Sequence, residues 1–336
     1  MHRLTRTAAV MALLLAGPSF AADPPPEASP NTPPLTLEAK IPLGAVKGRI
    51  DHMALDPDRG LLFVAELGND SVSVVDLAMR KVVDRLGKLS EPQGVAWHAA
   101  SRTLYVANAG DGSVRLFQAD FAPIGRIELG SDADNIRIDS GGNRIMVGYG
   151  KGALAVIDPA TRRKIGELPL PGHPESFQFD ETGGRIFANV PDAGLIAGLD
   201  ATTGKNLTLF EAAGASANFA MAVDANAHRV LVSFRSPARL VGFDTATGKR
   251  ELSLETCRDA DDVFVDAKRH RLYVSCGEGV IDVFGLNDGD YVRLARIPTA
   301  SGARTSLFVP ANDRLYLAVR ATESEPAAIW VLRAQR

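Results

Sequence analysis

Cysteine and histidine are scarce in this chain, and the familiar catalytic signatures are missing. Of 336 residues, two are cysteine and six are histidine. No CxxCH run is present, which excludes a covalently attached c-type haem. There is no GxSxG elbow, no HExxH and no P-loop, so the common serine-hydrolase, zinc-protease and nucleotide-binding classes lack support. Aromatic residues make up 6% of the chain, and none are interleaved with a basic stretch as base stacking would require, so nucleic-acid binding is not expected. Past the N-terminus no apolar stretch approaches the length of a membrane-spanning helix. Long helical periodicity is absent too.

What the chain does have begins at its N-terminus. Arg3 and Arg6 precede an apolar run from Ala8 to Ala16, and Ser19 and Ala21 place small residues before a cleavage point. Residues 1–21 therefore read as a signal peptide. Residues 22–34, with six prolines in DPPPEASPNTPP, read as a solvated linker. Loss of Arg3 and Arg6 leaves 35 basic against 40 acidic residues, which gives no global pull toward polyanions. The expectation is a periplasmic or secreted, monomeric protein without a membrane span.

From residue 35 onward one pattern recurs seven times. An apolar strand ends near Asp, a polar turn with Arg follows, then a strand of the Leu-Tyr-Val kind, a Gly/Asn/Asp turn and two further strands. The equivalent positions are Asp56, His98, Asp139, Asp180, Asp224, Asp266 and Pro310, a spacing of about forty-two residues, as for a four-stranded propeller blade. The seventh copy supplies only three strands, while Leu35 to Leu43 is a strand without a blade. Pairing the two closes a ring and removes the edges that an open solenoid would have to cap. The expected fold is all-β: a seven-bladed β-propeller over residues 35–336, closed by its N-terminal strand.

The second-strand copies LLFVAELGND, TLYVANAGDG and RLYVSCGEG resemble the YVTN-type β-propeller repeat family of exported bacterial proteins. The resemblance spans essentially all of the chain after the linker and implies a WD40-like propeller. It implies little about function, since one propeller scaffold serves binding modules and enzymes alike. VGYG at Val147 and ANVP at Ala188 depart from the motif, which makes blade limits less sharp there.

In such a blade the first strand starts on the rim where the second ends. That rim collects Arg49, Asp51, His52, Gln93, Asp134, Asn135, Glu175, Asn218, Asp262 and Arg304, residues that differ from blade to blade while the scaffold repeats. Singly, each could cap its own turn; together they suggest a ligand-binding mouth. His98, His228 and His270 fall in hairpin turns on the opposite rim, so only His52 and His173 reach the mouth. With Glu175 these are the candidate acid–base groups, and His52, Asn135, Glu175 and Asp262 are candidate ligands for a divalent metal. Cys257 precedes the first strand of the sixth blade and Cys276 ends its second strand, where they either form a disulfide or remain buried thiols. A ring of Arg59, Arg102, Arg144, Arg185, Arg229, Arg271 and Arg314 marks the opposite rim, as a polyanion surface or as solvated turn residues. The favoured function is a binding module for a small polar ligand or a protein partner. The alternative is a metal-assisted hydrolase or lyase of the gluconolactonase-like kind.

Overall fold

The computed structural model describes residues 32–139, 143–180, 182–212, 214–287 and 289–336. The expected signal peptide and all but the last three linker residues lie outside them.

Seven four-stranded antiparallel sheets make up the described chain from Leu35 on. Blades 1 to 6 are each built from four consecutive strands, and their innermost strands are Met53–Asp56, Pro92–His98, Ala133–Asp139, Ser176–Asp180, Ser216–Asp224 and Ala260–Asp266. Blade 7 takes Ser306–Val309, Arg314–Val319 and Ala327–Ala334 from the C-terminus and its outermost strand, Leu35–Gly44, from the N-terminus. In that pairing Leu35 faces Ala334 and Ile41 faces Ile329. The clasp expected from the orphan strand is therefore present, and this pairing joins the two ends of the described chain in one sheet.

Strand sequence follows strand depth. The second strands are buried over most of their length, and Leu61–Glu66 and Thr103–Asn108 at every position, because both sheet faces pack on neighbouring blades. Continuous apolar runs result, as for any strand covered on two sides. Outermost strands such as Lys81–Leu86 are mostly exposed. The buried side chains fall into seven clusters, each shared by two adjacent blades. The cluster joining blades 7 and 1 contains Ile41 and Leu43 from the clasp, Leu62 and Val64 from blade 1, and Tyr316 and Ile329 from blade 7.

The Asp repeated at the end of most innermost strands is a turn cap. Asp56 accepts from the Asp58 backbone N–H, Asp180 from Gly183, Asp224 from Ala227 and Asp266 from Arg269, as Asx turns require. His98 stands in the same register, and its ring pairs with Ser101 Oγ at 2.7 Å and Asn143 Oδ1 at 2.9 Å. The turn then needs a left-handed residue before the second strand. Gly60, Arg102, Asn143, Gly184, His228, His270 and Asp313 supply it, one per blade. Three of the histidines thus have a local structural role. The strands Arg144–Tyr149 and Arg185–Val190 are regular, so the departures VGYG and ANVP leave the blades intact. No helix among the described residues is long and apolar enough to cross a membrane.

Candidate functional site

Each innermost strand delivers its first residues to one rim, and these leading segments converge on the propeller axis. Arg49 and His52 from blade 1, Gln93 from blade 2, Asp134, Asn135 and Arg137 from blade 3, Glu175 and Ser176 from blade 4, Phe219 and Met221 from blade 5, and Asp261 and Asp262 from blade 6 line one small cavity. Its volume of about 20 Å³ holds roughly one water molecule. The cavity is a polar neck. His52, Arg137 and Asp262 also line a wider channel of about 450 Å³ along the axis, whose wall is about equally polar and apolar, so these three residues stand where neck and channel meet.

Most charges at the rim are spoken for. Arg49 lies 2.7 Å from the buried Asp51, which is 3.6 Å from His52 Nε2, and donates to Gln93 Oε1 at 3.4 Å. Asp261 accepts from Arg235 and lies 3.0 Å from Arg304 Nε, while Arg304 also donates to Asp259 at 2.7 Å. The Arg235 guanidinium stacks 3.8 Å over the Phe219 ring, which positions that ring at the neck. His173 Nδ1 donates to the Gly150 carbonyl at 2.7 Å, and the ring lies 3.5 Å from Asp132 and 3.8 Å from Asp134. Burial works against its protonation, yet the bonds to Asp134 and Gly150 and the charge of Asp132 hold His173 at about 9. At neutral pH it is a cation that balances these aspartates.

Among the charged groups that line the neck, three are left over. Glu175 and Asp262 have no cation within 4 Å, and Arg137 has no carboxylate within 4 Å, among the described residues. Burial above all, with the Asp134 charge, pushes Glu175 up to about 7. Burial again, with Asp261 adding and His52 opposing, pushes Asp262 up to about 6 although it accepts the Ser306 N–H at 2.6 Å. Burial lowers Arg137, against the pull of Asp262 and Asp134. Asn135 donates through Nδ2 to the Glu175 carbonyl, but its buried Oδ1 has no partner. Unpaired buried charge is costly, and its concentration in one cavity makes the neck the candidate site.

The cost should be measurable. A carboxyl raised in the folded state stabilises the fold below its ordinary value of 4.5, and that contribution is lost as pH rises through about 7. Glu175→Gln removes the loss. The variant should therefore gain stability over the parent between pH 5 and pH 8, by on the order of 2 kcal/mol, in urea melts at the two pH values. An equal difference at both would show that Glu175 is not held in an unfavourable ionised state.

Of the ten sequence candidates for ligand binding, seven line the neck: Arg49, His52, Gln93, Asp134, Asn135, Glu175 and Asp262. Three do not. Asp51 stands behind Arg49 and His52. Asn218 is fully buried between blades 4 and 5, donating to the Leu195 carbonyl at 2.9 Å. Arg304 is held by Asp259 and Asp261. His173 buttresses Asp134 from outside the cavity. Of the candidate metal ligands, His52, Glu175, Asn135 and Asp262 all line the neck, yet among the described residues no three His, Cys, Asp or Glu side chains are grouped so as to hold a metal ion. Asn135 and Asp262 spend one atom each on backbone partners instead.

Arg137 is the neck residue that the rim-based reading passed over, because it lies inside a strand. A signal was available. Two positions before the turn cap, the other blades carry Ala54, Ala96, Gln178, Ala222, Phe264 and Phe308, so a guanidinium there breaks an otherwise uncharged series.

Cys257 and Cys276 form a disulfide, with Cα atoms 5.9 Å apart, and both residues are buried. It ties the segment that carries Asp259, Asp261 and Asp262 to the second strand of blade 6. On the opposite rim, the arginine ring is locally consumed. Arg59 pairs with Asp56, Arg144 with Asp139, Arg229 with Glu251 and Arg314 with Glu38, while Arg185 and Arg271 donate to the Thr245 and Gln335 carbonyls. Six of the seven thus serve their own turns and neighbours.

Comparison with solved structures places the architecture. A chain of Kuenenia stuttgartiensis hydrazine synthase superposes with a TM-score of 0.74 at 19% identity, over 87% of this chain and 98% of that one. A chain in the crystal structure of the mitotic checkpoint complex superposes with a TM-score of 0.75 at 15% identity, over 96% and 98%. The fold is the seven-bladed β-propeller. At such identities the likeness concerns fold alone. No protein-family model matches the chain, and no curated protein matches it in sequence.

Proposed function

We propose that this propeller is an exported binding module whose polar neck takes the head group of a small ligand. One observation carries the reading: residues from six blades converge on a cavity that contains Glu175, Asp262 and Arg137 without ion-pair partners and Asn135 Oδ1 without a hydrogen bond. A neck needed only to close the ring would be filled with paired or apolar groups, as the seven interblade clusters are. Export is supported by the signal-like residues 1–21 and by the disulfide, a bond favoured in oxidising compartments. The YVTN-type resemblance of the second strands fits the same picture of an exported repeat scaffold.

The test is a thermal-shift and calorimetry panel of small amines, carboxylic acids, amino acids and sugars against the full chain and against Asn135→Ala and Arg137→Met. At least one class should raise the melting temperature in proportion to its concentration, and both substitutions should weaken it tenfold or more. A shift that survives both substitutions, or none from any class, sinks the reading.

A further inference from the structure

Hydrogen bonding, and not charge, selects the head group that the neck takes, an inference that rests on the reading of the neck as a ligand site. Charge there is opposed on both sides. Glu175 is opposed by the charges of His173 and Arg235, and Asp262 by those of His52 and Arg137. Arg49 is paired with Asp51, and Asp261 with Arg235 and Arg304. Arg320 has no ion pair among the described residues, but it follows the second strand of blade 7 at the rim and does not line the neck. The charges therefore call for neither a cation nor an anion.

Two polar atoms of the neck's lining side chains are buried without a hydrogen-bond partner, Arg49 Nε and Asn135 Oδ1. One is a donor and the other an acceptor. The rest of each side chain is committed: Arg49 through a terminal nitrogen to Asp51 at 2.7 Å and Gln93 at 3.4 Å, and Asn135 through Nδ2 to the Glu175 carbonyl. Neither can turn to a new partner without breaking those contacts, and a buried polar atom left unmet is costly. Size narrows what can meet both, since about 20 Å³ holds one heavy atom of the size of a water oxygen. An ammonium nitrogen would donate to Asn135 Oδ1 and offer nothing to Arg49 Nε. A carboxylate would accept from Arg49 Nε, leave Asn135 Oδ1 without a donor, and crowd the space with its second oxygen. A single oxygen that carries hydrogen both accepts and donates.

We propose that the neck takes one uncharged O–H oxygen, which accepts from Arg49 Nε and donates to Asn135 Oδ1: the hydroxyl of a neutral alcohol whose body lies in the axial channel, with a water molecule at the same point when no alcohol is bound. The channel, at about 450 Å³, is in the size range that encloses a small organic molecule. Its wall, about equally polar and apolar, admits a body of mixed character.

Crystal structures of the full chain read the occupant directly, alone and with cyclohexanol, cyclohexylammonium or cyclohexanecarboxylate at pH 7, three probes that share a ring and differ in the head. An oxygen should lie within hydrogen-bonding distance of both Arg49 Nε and Asn135 Oδ1, a water's in the free protein and the hydroxyl's in the cyclohexanol complex. Calorimetry should give one-to-one binding of cyclohexanol, with the two charged probes at least tenfold weaker. Arg49→Lys, which keeps a cation for Asp51 and removes the Nε–H, and Asn135→Leu should each weaken cyclohexanol tenfold or more; a melting curve for each variant shows that it is folded. A sugar of the panel above seated at that point by a hydroxyl supports the assignment equally. A charged probe bound in the neck as tightly as cyclohexanol, or a panel compound whose head there touches only one of the two atoms, overturns the hydroxyl assignment and leaves the neck as a ligand site. A water held between the two atoms that no compound displaces overturns the ligand reading and assigns the O–H to solvent. No oxygen at that point and no binding by any compound overturns both.

Discussion

Ile41→Asp is expected to destabilise the entire propeller by about 4 kcal/mol or more, lowering its melting temperature by roughly 8 °C or more. Ile41 is 1% exposed and sits in the cluster that joins blade 7 to blade 1, facing Ile329 across the clasp. The substitution removes a buried aliphatic chain and places a carboxylate where no cation is at hand. Its reach exceeds its own blade. The clasp is where the two ends of the described chain meet in one sheet, with the Gln335 N–H donating to the Pro34 carbonyl and Arg314 bonding Glu38 at 2.9 Å beside it. An opened ring exposes two blade faces that no other element can cover. Leu37→Asp, on the same strand at a position 49% exposed, serves as the control and should change the melt by little. Should the two variants melt alike, or should Ile41→Asp merely free the strand to proteolysis while the remaining blades keep the parent melting temperature, the clasp is not what holds the ring.

Gly94→Ala is the second substitution with a large expected effect, and it strikes the neck directly. A Cβ at Gly94 would lie 2.2 Å from the Asp134 carbonyl oxygen and 2.9 Å from the Ile136 backbone nitrogen. Both are backbone atoms of blade 3, so no side-chain rotation relieves the clash. The innermost strands of blades 2 and 3 have to part, at a cost of about 2–4 kcal/mol, and the segment that carries Asp134 and Asn135 moves with them. Thermal melts should show the loss, and ligand binding at the neck should weaken in parallel. Gly87→Ala, where nothing lies within 4 Å, should be close to neutral. A Gly94→Ala protein with the parent's stability and binding would mean that the two strands have slack at the neck.

These two residues also show how far the chain could be read before it was seen folded. Ile41 belongs to a strand that is recognisable because it is apolar and left over when the copies are counted. Gly94 is different. In sequence it is one of the small residues that any strand start tolerates; in the structure it is the point where two blades approach too closely for a side chain. Nothing local distinguishes those cases, because the clashing atoms belong to a residue forty positions away in another repeat. Asn218 errs the other way: it sits at the rim position in the repeat, yet the strand turns its amide between blades, to the Leu195 carbonyl.

Repetition made the fold legible. Each blade is specified by local signals, an Asx cap, a left-handed turn residue and buried second-strand runs, and those signals occur seven times, so the ring and its closure follow from counting. The rim that gathers the polar residues follows too, since strand direction alone places them there. Which of those residues face one another was decided only in three dimensions. Ion pairing across blades, as in Arg304 with Asp259 and Asp261, removes some charges from play and leaves Glu175, Asp262 and Arg137 lining one space of about 20 Å³ without ion-pair partners among the described residues. Pairing is a matter of distances between repeats, and the repeat itself carries no record of them.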